Sequence, residues 1–145
     1  MTRLWDKGTE LSDSVLRYTA GEDHTLDERL VRYDVQASIA HVEMLYAQKL
    51  ISAEDLHAIR DGLAHLALEH TRGLWQIELQ DEDGQTALER RLTARIGAAG
   101  ARVHLGRSRN DQVLAAVRLY LRDATKELSG RAVQVAEALE GLAHR

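Results

Sequence analysis

From Asn110 onward the chain sets an apolar residue at every third or fourth position: Val113, Val117, Leu121, Ala124, Leu128, Ala132, Val135, Leu139 and Leu142. That spacing is the period of one helix face. A helix from about Asp111 to the C-terminus is on the order of 50 Å long at about 1.5 Å per residue. Gly130 is its weak point, at roughly 1 kcal/mol relative to Ala. No proline interrupts it, because the 145 residues contain neither Pro nor Phe. Glycine therefore supplies the punctuation. With Leu, Ala, Glu and Arg abundant, the expected class is all-α. The shorter helices upstream cannot cover so long a stripe. It calls for other long helices, from the remainder of a larger chain or from other subunits.

Upstream, residues 1–8 read as an extended arm anchored by Trp5. A short amphipathic stretch follows with Leu11, Val15, Leu16 and Tyr18, and Gly21 stops it. Thr25-Leu26-Asp27-Glu28 has the pattern of a capping box opening a helix to about Lys49. Leu30, Val31, Val35, Ile39, Val42 and Leu45 make its apolar face. Ser38 and His41 lie on or beside that face and read as buried polar residues with partners. Ser52-Ala53-Glu54-Asp55 starts a second helix, buried through Leu56, Ile59, Leu63 and Leu66 and ended by Gly73. Leu74 to Leu79 alternates like a strand, but no second strand offers a partner, so it reads as a connector. Glu82-Asp83 leads a helix from Thr86 to about Ile96, closed between Gly97 and Gly100. Val103-His104-Leu105 reads as a brief extended run.

Composition excludes several classes. The net charge of −4 argues against a general nucleic-acid binder. No cysteine is present, so disulfides and thiolate metal sites are out. His57, His65 and His70 lack the spacing of a metal-binding pair and have no acidic or thiolate partner in sequence, so no metal site is expected. No apolar run approaches membrane-span length. A cytoplasmic protein is the default expectation.

Chemistry concentrates in His104-Leu105-Gly106-Arg107-Ser108-Arg109-Asn110-Asp111-Gln112-Val113. Arg107 and Arg109 present planar donor forks suited to carboxylate or phosphate. Ser108 or Asn110 can cap the following helix. The free N–H groups and the positive end of the helix dipole point at the same corner.

This string, G-R-S-R-N-D-Q-V with His two residues ahead of the Gly, closely resembles the signature of argininosuccinate lyases, in the aspartase/fumarase superfamily. Three more stretches resemble that family in order: Leu4-Trp5; Asp34, Ser38-Ile39-Ala40-His41 and Met44-Leu45; and Glu82-Asp83 with Glu89. The resemblance covers essentially the whole chain, as the N-terminal third or so of the family. It implies a small helical domain over 1–106, and over 107–145 the truncated start of a central helical bundle. It also implies a β-elimination splitting argininosuccinate into arginine and fumarate, a step of arginine biosynthesis, without cofactor or metal, in a homotetramer that binds neither nucleic acid nor membrane. On this reading Ser108, Arg109 and Asn110 hold the substrate's succinyl carboxylates. Asp83 helps shape the pocket, and His104 supports the loop.

The chain departs from the family at three places. Gln85 stands where many members have His, and Gln cannot titrate near neutrality. Leu105 stands where many have Thr. Tyr18-Thr19-Ala20-Gly21 aligns poorly with the family's F-N-A-S segment. The family's catalytic Ser loop and its second catalytic His region have no counterpart in these 145 residues. None of the residues here is therefore assigned a catalytic role, and the isolated chain is expected to be inactive. Two readings stand beside this one: a non-catalytic oligomerisation module of crystallin type, and a small anion-binding helical protein using Arg107 and Arg109.

Overall fold

A computed structural model of the chain describes residues 13–144. Its helices are α1 (Asp13–Ala20), α2 (Asp23–Leu26), α3 (Val31–Ala47), α4 (Ala53–Thr71), α5 (Gly84–Ile96) and α6 (Arg109–Ala143), with short 3-10 turns between them. No strand occurs among the described residues, and 74–78 is an irregular connector as expected. The N-terminal arm, Trp5 and Leu11 lie outside the described residues.

The core sits between α3, α4 and α5. Val35, Val42 and Leu45 of α3 meet Ile59, Leu63 and Leu66 of α4, and Leu88 and Leu92 of α5 close the cluster. Each set recurs at three, four or seven residues, so each helix presents one continuous apolar face. Gly62 lets α4 and α5 approach: a Cβ there would stand 2.6 Å from Leu92 Cδ1. Trp75 pins the connector by donating from Nε1 to Leu66 O at 2.9 Å, with the Arg91 guanidinium 4.5 Å above its ring. Asp81, buried, receives Arg90 Nε and Arg91 Nη1 at 3.0 Å each, so its charge is compensated.

Three local expectations are corrected. Thr25 does not cap. It lies inside the four-residue α2, and its N–H goes to Glu22 O. Glu28 turns away instead, its carboxylate accepting from Ile77 N at 2.6 Å and reaching His70 Nε2 at 2.5 Å. The chain passes through a 3-10 turn, Asp27–Arg29, before α3 begins. Residues 103–106 are turn rather than extended. Gly100 packs so closely on Thr93 that the segment coils, and Val103 N, Leu105 N and Arg107 N each bond three residues back. In α1, Val15 and Tyr18 are exposed rather than buried.

α6 is one uninterrupted helix of 35 residues. Its first third lies on α3, with Ala116 buried and Tyr120 edge-on to Tyr33 at 5.9 Å between ring centroids. Beyond Ala124 its apolar residues stand in the open: Leu128, Val135, Leu139 and Leu142 are 59–69% exposed.

Candidate functional site

Two turns that are far apart in sequence meet beside α3. The acidic turn precedes α5. Glu82 adopts φ +69°, a left-handed conformation that costs a non-glycine residue free energy. It delivers Asp83 to the N-cap of α5, where Oδ1 accepts from Thr86 N at 2.8 Å. The basic turn precedes α6. Gly106, at φ +77°, reverses the chain. Ser108 then caps α6, its Oγ accepting from Asn110 N at 2.9 Å, while Asp111 Oδ2 accepts from Ser108 N at 3.0 Å. This reciprocal capping box holds the Asp111 carboxyl below the usual range, chiefly through the Ser108 backbone N–H and then its hydroxyl.

The turns join through an ion pair from Arg109 Nη2 to Asp83 Oδ2. The Asp83 side chain is buried, whereas Arg109 stays half exposed and Asn110 exposed. Asp27 enters from the segment ahead of α3, accepting from Gly84 N at 3.0 Å. Burial first, then neighbouring Asp83 and Asp23, push the Asp27 carboxyl up against the pull of that N–H. The result is an open corner of donors, Arg109 and Asn110 on the capped start of a long helix, backed by buried Asp83 and half-buried Asp27. Such a corner can hold an anion beside the positive end of the α6 dipole.

Comparison with known proteins identifies the family. A model of a family described as lyase matches residues 11–145. The chain belongs to that lyase family. An argininosuccinate lyase of Sorangium cellulosum (strain So ce56) is 48% identical over 99% of this chain and 33% of its own length. One from Thermotoga neapolitana is 37% identical over 99% of this chain and 36% of its own length. One from Paraburkholderia phymatum is 45% identical over 91% and 26% respectively. The chain thus spans about a quarter to a third of the length of these curated relatives.

Within the chain, Asp83, Ser108, Arg109 and Asn110 come together at one corner. Ser108 spends its hydroxyl on the cap. Arg107 does not join the corner as a free fork: its Nη2 points inward, donating to Ser38 Oγ at 2.9 Å and to Val103 O at 3.3 Å, and burial lowers its pKa. His104 Nδ1 lies 3.1 Å from Glu89 Oε2. Sequence reasoning missed Asp27, which it placed in a capping box, and missed the partner of Gln85, whose Nε2 donates to buried Asp34 Oδ2 at 2.8 Å. A buried acid inside an apolar helix face was the available signal for Asp34. Among the described residues no group of three His, Cys, Asp or Glu is placed to hold a metal ion, and no helix is long and apolar enough to cross a membrane.

Proposed function

We propose that this chain is the succinyl-gripping segment of an argininosuccinate lyase, which splits argininosuccinate into arginine and fumarate. One observation carries the reading: Arg109 and Asn110 stand exposed at the capped N-terminus of α6, with Arg109 oriented by buried Asp83. The names of the relatives support the substrate. The elimination removes a proton beside a carboxylate, so charge spreads into that carboxylate and needs donors already in place. Asn110 supplies a neutral donor, Arg109 a charged one, and the first N–H groups of α6 add the helix dipole. Asp83 keeps the guanidinium from swinging out. The base and the acid that complete the reaction belong to segments other than these residues, and Gln85 cannot replace them because a carboxamide does not titrate. No cofactor or metal is required. Residues 1–106 form the helical N-terminal domain and 107–145 begin the bundle of a cytoplasmic homotetramer, whose other long helices cover the open face of α6.

Calorimetry on the chain with succinate, fumarate and inorganic phosphate tests the grip. A preference for the dicarboxylates that disappears in Asn110→Ala is expected. Equal weak binding of all three anions would overturn the reading. Ultraviolet assay of the purified chain with argininosuccinate is expected to show no fumarate; release of fumarate would place the bond-breaking groups within these residues.

A further inference from the structure

Three polar residues share one face of α3: Asp34, Ser38 and His41, four and three apart. Each holds a different piece of the site. Asp34, 2% exposed, accepts from Gln85 in the first turn of α5. Ser38 accepts from Arg107 of the basic turn. His41 Nε2 lies 2.9 Å from Leu105 O, which can only accept. Both turns therefore hang from one rigid helix face, and their tips meet at Arg109 and Asp83.

Gln85 adds a second observation. Its Oε1 is buried and has no hydrogen-bond partner among the described residues. A small cavity lined by Asp34, Ser38, Gln85 and Gln112 adjoins it. An unpaired buried carbonyl destabilises the fold, because it has lost its water and gained no donor. A protonated Asp34 supplies the missing donor. A carboxylic acid and a carboxamide then exchange two hydrogen bonds, acid O–H to Oε1 and Nε2–H to the acid oxygen.

We propose that Asp34 and Gln85 form a carboxylic acid–carboxamide latch which, with Ser38 and His41, positions Ser108, Arg109 and Asn110. The identity of the bound anion rests on the function proposed above; the latch itself shapes the turn with or without a ligand. These are positioning residues, since none reaches the open corner.

The surroundings support a proton on Asp34. Burial pushes its carboxyl up to about 7, against the Gln85 hydrogen bond. Asp27 from the segment ahead of α3 and Asp83 at the α5 cap push it the same way, while Arg107 from the basic turn opposes them. Glu89 of α5 lines the same cavity and is paired with His104. His41 lies along the helix, and Arg109 faces Asp27 from the start of α6. Loss of the proton removes the donor to Oε1 and leaves a carboxylate that draws the Arg107 guanidinium away from Ser38. The turn shifts with it.

The test is nuclear magnetic resonance of the chain from about pH 5 to about pH 9, following the Asp34 carboxyl carbon and the Ser108, Asn110 and Asp111 amides. Imidazoles change charge in this range, so the His41 and His104 ring signals are followed in the same samples. One transition near pH 7 shared by the carboxyl and the amides is expected. Asp34→Asn carries the donor permanently and should hold the amides at their low-pH positions throughout. Asp34→Ala should displace them at every pH. An Asp34 carboxyl that titrates in the ordinary carboxylate range, or amide transitions unchanged in Asp34→Asn, would overturn the latch. Succinate is expected to bind several-fold more tightly at the acid end in the native chain and equally at both ends in Asp34→Asn. A latch that titrates as described in a chain that binds no succinate supports the latch and sinks the ligand reading.

Discussion

Arg107 donates to the Ser38 hydroxyl at 2.9 Å across 69 residues of chain, so the most polar turn of the molecule is fastened from the inside. The first arginine of the basic string is thus an anchor, and the second, paired to Asp83, stays half exposed. Arg107→Ala should destabilise the chain by about 1–3 kcal/mol, since it removes a charge-assisted hydrogen bond and strands a buried hydroxyl. Arg107→Lys should recover little, because an ammonium cannot reproduce the planar fork that reaches Ser38 and Val103 O together. Urea unfolding midpoints of the three proteins measure this. Equal stability of native and Ala forms would refute the anchoring role.

Ser108→Ala should cost about 1 kcal/mol, the usual worth of an N-cap. Its effect should be local. Hydrogen exchange is expected to rise at Asn110, Asp111 and Gln112 and to stay constant in the middle of α6. Ser108→Asp should restore most of the loss, because a carboxylate also accepts from the exposed N–H groups and favours the positive helix end.

The pH dependence of stability has a definite sign. The Asp34 carboxyl is raised from 3.8 to about 7 by burial. Between those values the folded chain keeps a proton that the unfolded chain has released, so stability falls as pH rises through this window and levels off above it. The loss amounts to a few kcal/mol, at about 1.4 kcal/mol per unit. Asp34→Asn should remove it. Unfolding free energies should match the native chain only below about pH 3.8, and from there to pH 8 the variant should become increasingly the more stable protein.

Gly100→Ala should lower the melting temperature. A Cβ there would lie 2.7 Å from Thr93 Cα and 2.8 Å from Thr93 N, both backbone atoms that cannot step aside. Overpacking of this kind costs about 1–3 kcal/mol. Gly130→Ala, with open space around its Cβ and a helical backbone, should instead stabilise by up to about 1 kcal/mol. Thermal unfolding of the two variants side by side checks the contrast.

The outer half of α6 presents Leu128, Val135, Leu139 and Leu142 as a continuous exposed stripe. Such a stripe seeks cover. Analytical ultracentrifugation should find concentration-dependent association that weakens in Leu128→Lys together with Leu139→Lys. A strictly monomeric native chain at high concentration would contradict the expected bundle.

Most of the architecture could be read from the residues in order. Helix period and glycine breaks located α3 to α6, and the helix start read at Ser52 to Asp55 formed there, closed by a reciprocal cap. These are contacts within one turn of chain, so local spacing decides them. The cap expected at Thr25 failed because Glu28 found better partners 42 and 49 residues away, at His70 and Ile77. The same division runs through the site. Its residue types and their clustering before α6 were legible in the string around Ser108. That Arg107 would turn inward, that Asp83 would seize Arg109, and that Asp27 and Asp34 would stand behind them depended on which helix faces meet. Sequence by itself determined the helices and the chemical inventory, because periodicity and capping act within a few residues. Only the packing of α3 against α5 and α6 decided which charges are buried, which are paired and which remain free to hold an anion, because those outcomes rest on distances between segments that periodicity does not encode.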